Sequence, residues 1–138
     1  MVLLSSGFNG IPMDQKHTFI AIHHISVIVA DLKKSLHFYC DVLGLEIDQN
    51  RPNLSFDGAW LQINPDQQIH LLVVDNPDST TQRPEHGGRD RHTAFKVTDI
   101  NVIQSALELH HIVYTKSQSG RPALFCRDPD GNTLEIME

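Results

Sequence analysis

An approximate internal repeat constrains this chain more than any other feature. HISVIVADLKKSLHFY, beginning at His24, aligns with HTAFKVTDINVIQSAL, beginning at His92. Each has a histidine, a short alternating stretch and an aspartate seven residues on, Asp31 and Asp99. An apolar residue follows (Leu32, Ile100), then an amphipathic run. The far ends also match. His70 lies in QIHLLVV, 46 residues beyond His24, and Glu135 lies in TLEIM, 43 residues beyond His92. The chain therefore reads as two units of similar length, each opening and closing on a potential metal ligand.

Each unit reads as strand, helix, then three strands. Residues 22–30 alternate and are rich in Ile and Val, which predicts a strand. Asp31 is the expected N-cap of a helix over 32–43, where Leu32, Leu36, Tyr39 and Leu43 recur at helical spacing and Gly44 supplies the stop. Strands are expected near 45–51, 59–63 and 68–74. In the second unit a strand over 91–97 leads through Asp99 into a helix over 100–110 that buries Ile103, Leu107 and Ala106. Strands follow near 112–116, 123–127 and 133–137, with a turn at DPDGN, residues 128–132. The modules span 21–75 and 91–138. Between them, 76–90 is polar and rich in Pro and Gly, and is expected to be a linker or exposed loop. Residues 1–20 are expected to form a loosely attached tail, in which Met13 offers an alternative start. The apolar stretch at Val2–Leu4 is too short for a signal peptide.

Composition narrows the partners. The net charge is −6 and no Lys/Arg cluster stands out, which argues against nucleic acid or an anionic membrane surface. No apolar run approaches the length of a membrane span. Two widely separated cysteines, Cys40 and Cys126, suit buried free thiols in a cytoplasmic protein.

Strand alternation sorts the candidate site residues by face. Ile25, Val27 and Val29 share the face expected to pack on the helix, leaving His24 and Ser26 opposite. In the second unit Phe95 and Val97 take the helix side, leaving His92, Ala94 and Lys96 opposite. His70 and Glu135 are polar exceptions on apolar strands. A buried histidine or glutamate costs several kcal/mol unless paired or coordinated. Four such exceptions at matched places point to one cause, a metal held by His24, His70, His92 and Glu135. Trp60 and Gln62 share one face of their strand and, with Ser26, are candidate substrate-binding residues. Arg51, Lys96, Lys116, Arg121 and Arg127 are candidate anchors for an acidic substrate tail. Each position also has a plainer reading. A lone strand histidine is more often a hydrogen-bonded core or edge residue, Glu135 could pair with Arg127, and Trp60 could be ordinary core. His23 replaces His24 if the register shifts by one. His17, His37, His86, His110 and His111 read as solvated.

HHISVIVADLKKSLHFYCDVLGLEI resembles the opening of vicinal-oxygen-chelate proteins, RHTAFKVTDI the start of their second module, and LFCRDPDGNTLEIME their closing strand. That superfamily includes glyoxalase I, fosfomycin-resistance thiol transferases, methylmalonyl-CoA epimerase, extradiol dioxygenases and bleomycin-binding proteins. The resemblance covers residues 22–138. It implies an α+β fold of two βαβββ modules forming an open, curved, mixed sheet around a metal. It also implies a homodimer, with modules pairing within a chain or across two. The metal-dependent members carry ligands at the positions of His24, His70, His92 and Glu135. Three imidazoles and a carboxylate suit one divalent ion: Ni, Co, Zn, Fe or Mn. The function implied is a glyoxalase-like lyase or isomerase acting on a small vicinal-oxygen substrate through a metal-stabilised enediolate, with Glu135 as general base. A non-haem Fe(II) extradiol dioxygenase and a non-catalytic drug or metabolite binder are the alternatives. Bacterial glyoxalase I carries glutamate where this chain has His70. Fosfomycin-resistance enzymes carry a tyrosine where it has Phe125, which argues against that activity.

Overall fold

Asp31 and Asp99 set up the two modules in the same way. In the computed structural model, which describes Gly10 and residues 15–138, each aspartate accepts a backbone N–H of the helix it opens. Asp31 Oδ1 takes Lys34 N at 3.2 Å and Asp99 Oδ1 takes Asn101 N at 2.9 Å. The first module runs β1 (His24–Ile28), α1 (Leu32–Leu36), β2 (Glu46–Ile47), β3 (Asp57–Asn64) and β4 (Gln67–Val73). The second runs β5 (His92–Lys96), α2 (Ile100–Leu109), β6 (Tyr114–Lys116), β7 (Ala123–Arg127) and β8 (Thr133–Met137). The sheets have the same topology, β1-β4-β3-β2 and β5-β8-β7-β6. In each, the first strand lies at the edge and pairs parallel with the last, and the other pairings are antiparallel. The fold is thus α+β, built from two βαβββ modules, each an open four-stranded mixed sheet.

The helix-facing residues of both modules merge into one core. Val29, Phe38, Tyr39, Leu61, Ile69 and Leu71 pack in the same cluster as Ile100, Leu107, Leu124, Cys126, Leu134 and Ile136. The turn at 128–132 staples the modules together. Tyr39 Oη donates to Asp128 Oδ2 at 2.8 Å, Asn132 Nδ2 donates to Ile28 O at 3.0 Å, and Ala30 N donates to Asp130 Oδ1 at 3.0 Å. Burial pushes both the Tyr39 phenol and the Asp128 carboxyl above their ordinary values. Gly131 sits at φ +83, and a Cβ there would come within 2.8 Å of Thr80 O, so this turn requires glycine. The connecting stretch is pinned to the second module. Arg83 and Arg127 both grip Asp90, and Arg127 also donates to Pro84 O.

Three elements differ from their sequence expectation. The first helix is α-helical only over Leu32–Leu36 and continues as a π-helical turn over His37–Val42, closed by Leu43 N donating to Phe38 O at 3.0 Å. The wider turn brings Phe38, Tyr39 and Val42 into the core, while Leu32, Leu36 and Leu43 are only partly buried. The second strand stops at Ile47 because the Asp48 side chain accepts Asn50 N at 2.9 Å and turns the chain away. The sixth strand starts at Tyr114, because Ile112 N still closes the end of α2 on Leu107 O and His111 takes a positive φ of 55. The expected tail lies mostly outside the described residues, as do Val2–Leu4 and Met13. Among the described residues no helix is long and apolar enough to cross a membrane.

Candidate metal centre

Strand register places the four candidate ligands. His24 stands opposite Gln68 and Ser26 opposite His70. His92 stands opposite Thr133 and Ala94 opposite Glu135. In both modules the second candidate lies two residues beyond the rung of the first, and so on the same face. The third strand repeats the match: Trp60 is opposite His70, and Phe125 is opposite Glu135. Ser26–His70–Trp60 and Ala94–Glu135–Phe125 are equivalent rows across the two sheets. The unequal spans of 46 and 43 residues arise in loops, not in the ladders.

In the first module His70 is 9% exposed and is sandwiched between two rings. His24 stacks on it at 3.9 Å between centroids and Trp60 at 4.5 Å. His70 Nε2 lies 2.9 Å from Gln68 Oε1, and His24 Nδ1 lies 2.9 Å from His23 Nδ1. Burial, followed by the neighbouring His24, His23 and Arg51, pushes the His70 imidazole down to about 4. It is therefore neutral near pH 7, the form in which imidazole binds metals. Gln62 turns toward Gln68 at 2.7 Å rather than into open space. Asp48, held below the usual carboxylate range by the Asn50 backbone N–H and Gln68, closes the group.

In the second module Glu135 is 7% exposed, and its Oε2 lies 3.3 Å from His92 Nε2. His92 Nδ1 is 2.8 Å from the backbone oxygen of Asp90. That oxygen can only accept, so Nδ1 carries a hydrogen and Nε2 faces the carboxylate. Two lone pairs at this distance repel unless a proton or a cation lies between them. Arg121 approaches the other Glu135 oxygen at 3.6 Å, and Phe125 packs edge-on against His92 at 5.2 Å.

The structure thus brings His24 together with His70, and His92 together with Glu135. Among the described residues no three His, Cys, Asp or Glu side chains are grouped to hold a metal. The donors fit a divalent ion in kind, as two half-sets. A cavity of about 340 Å³ lies where β1 meets the start of β5, and both Ser26 and His92 line it. Arg127 is committed to Asp90, Gly131 O and Thr133. Arg51 donates to Phe56 O at 2.8 Å and has no ion-pair partner among the described residues. Sequence reading missed Gln68, Asp48 and Asp90, which brace the two half-sets. A usable signal existed for two of them: Gln68 and Asp90 each precede a candidate histidine by two residues.

Residues 21–136 match the model of the Glyoxalase/Bleomycin resistance protein/Dioxygenase superfamily, and the chain belongs to that superfamily. It is 33% identical over 124 residues to the uncharacterized protein YaeR of Escherichia coli, covering 85% of this chain and 95% of that protein. It is 31% identical over 121 residues to Glyoxylase I 4 of Arabidopsis thaliana, covering 84% and 69%. Among solved structures, a glyoxalase family protein from Enterococcus faecalis matches with a TM-score of 0.66 at 27% identity, over 87% of this chain and 98% of that one. Leishmania major glyoxalase I shares the fold, with a TM-score of 0.64 at 20% identity over 87% of both chains.

Proposed function

We propose that this chain is a metal-dependent enzyme of the glyoxalase type, a lyase or isomerase acting on a small substrate with two adjacent oxygens. The observation that carries the reading is the identical placement of His24/His70 and His92/Glu135 on the two ladders. Ladder symmetry of this kind would let two donors from each module converge on one point once the two faces meet. We further propose that the four donors meet when the His24/His70 face of one copy joins the His92/Glu135 face of another, making a homodimer with two sites. Both opening strands, β1 and β5, are sheet edges, which suits such a junction.

A divalent ion held there supplies Lewis-acid stabilisation of negative charge on a substrate oxygen. The chain's own groups do the rest. Asp90 O holds the proton on His92 Nδ1, and Gln68 binds His70. Trp60 and Phe125 occupy equivalent places beside the ligands and exclude water. Glu135, flanked by His92 and Arg121, is the carboxylate to which we assign the proton taken from substrate carbon. Arg51, Lys96 and Lys116, which have no ion-pair partner among the described residues, and Arg121, which faces Glu135, are the candidate cations for an acidic substrate group.

Mixing two variants tests the assembly. His24→Ala and His92→Ala each break every site of their own dimers. Random exchange of protomers restores about a quarter of the wild-type sites, because half of the dimers become mixed and each of these holds one intact site. Metal content measured after co-refolding reads this directly. No recovery would refute pairing across copies, and full metal retention in either variant alone would remove that histidine from the set.

A further inference from the structure

The hydrogen bonds around His70 have only one consistent polarity. Gln62 Nε2 approaches two backbone oxygens, Asn64 O and Gln67 O, and these can only accept. The NH₂ end of Gln62 therefore faces them, and its Oε1 faces Gln68. Gln68 Nε2 donates to that Oε1 at 2.7 Å and to Asp48 Oδ2 at 2.8 Å. Both hydrogens of the Gln68 amide are engaged, so its Oε1 is the atom turned to His70 Nε2, at 2.9 Å. An amide oxygen accepts, so His70 Nε2 carries a hydrogen, and in the neutral ring Nδ1 keeps the lone pair.

The aromatic stack cannot make this choice. His24 and Trp60 fix the plane of the His70 ring, and a stacked ring reads the same with its proton on either nitrogen. The second module has no counterpart of the amide chain. Thr133 holds the rung equivalent to Gln68 and bonds to Arg127 and Asp90 instead. There the backbone oxygen of Asp90 keeps the proton on His92 Nδ1, so His92 offers Nε2.

We propose that Gln68 is a positioning residue which, backed by Asp48 and Gln62, holds His70 as the Nε2–H tautomer and so makes Nδ1 the nitrogen offered to the metal. His70 and His92 then present opposite ring nitrogens to the shared site. The tautomer stands on hydrogen-bond directions alone; its use by a metal rests on the function proposed above.

Long-range proton–nitrogen correlation on the ¹⁵N-labelled, metal-free full chain at pH 7.5 reads the tautomer, with His70→Gln assigning the signals. The wild-type protein should show His70 protonated on Nε2. Gln68→Met removes the acceptor while keeping the stem, and should give a mixture of tautomers with the His92 signals unmoved. Trp60 is the only tryptophan in the chain and stacks on His70, so its fluorescence should follow cobalt binding in the same samples. The variant should bind cobalt about 10–100-fold more weakly. A wild-type His70 protonated on Nδ1 would overturn the proposal without any variant. An unchanged tautomer or an unchanged cobalt affinity in Gln68→Met would overturn it as well. If the tautomer follows Gln68 and cobalt fails to bind the wild-type protein, the metal reading falls and the control of His70 by Gln68 is supported.

Discussion

Asp90 joins the linker, the second sheet and the candidate site, so replacing it tests whether these act as one unit. Its side chain is 4% exposed. It accepts Arg83 Nε at 2.9 Å, Arg127 Nη1 at 2.7 Å and Arg91 N at 2.8 Å. These donors, Arg83 first, hold its carboxyl well below the ordinary aspartate range. Asp90→Asn keeps the shape and one oxygen but removes the charge. Removing one partner of a buried ion pair costs about 3–5 kcal/mol. Here Arg83 and Arg127 keep 20% and 26% of their side chains in water. The amide also retains part of the bonding, so about 2–3 kcal/mol is the expected loss. For a chain of this size that lowers Tm by on the order of 10 °C. A depressed carboxyl contributes stability that is fully present above the unfolded pKa of about 3.9 and is lost as pH falls through the folded value. The gap between wild type and variant should therefore be constant from pH 5 to 7 and shrink below about pH 4. Urea melts across that range measure it. A variant within about 0.5 kcal/mol of wild type at pH 7, or a gap that does not shrink in acid, would refute the reasoning.

Tyr39→Phe removes a buried hydrogen bond to Asp128 and should cost about 1.5–3 kcal/mol in urea melts, with metal content unchanged; a neutral result would show that the staple between modules lies elsewhere. Burial pushes the Cys126 thiol up to about 12, so iodoacetamide at pH 8 should label Cys40 first and reach Cys126 only in denaturant. Equal labelling of both in the native protein would contradict the burial of β7. Glu135→Gln should lower turnover about 10²–10⁴-fold; the proton role stands only if metal analysis shows the ion retained. Because His70 stands where bacterial glyoxalase I has a second carboxylate, kcat/KM on the methylglyoxal–glutathione adduct should fall well below about 10⁷ M⁻¹s⁻¹; steady-state kinetics over several reconstituted metals decides it.

The sequence made the modules legible because histidine-to-aspartate spacing fixes where each helix starts relative to its opening strand. That spacing survives low identity, since Asp31 and Asp99 each cap their helix with a side-chain oxygen, Asp31 on the N–H three residues on and Asp99 on the N–H two residues on. The π-helical turn was not legible, because apolar residues at 32, 36, 39 and 43 suit either helix type. Nor was the early end of β2, where one hydrogen bond donated by Asn50 N to the Asp48 side chain outweighs local strand propensity. At the site, polar exceptions on apolar strands singled out His70 and Glu135, which are both buried. Their bracing groups stayed hidden. The i, i+2 spacing to His70 and His92 marks Gln68 and Asp90 only once the histidines are chosen, and nothing marks Asp48, which lies in a different element from the histidine it supports through Gln68.

The π-helical turn over His37–Val42 carries one residue more than an α-helix of the same phase would. The two modules should therefore differ in how they tolerate changes of chain length. Deleting one residue within 37–42 can be absorbed by reverting the turn to α-helix, with Asp31 still capping and β2 still entering on its own rung. Deleting one residue inside α2 has no such slack. Everything beyond the cut rotates by about 100°, carrying Leu107 out of the core and displacing the strands that deliver Glu135. Of two single-residue deletions at helices of like design, the one in the first module should be the milder.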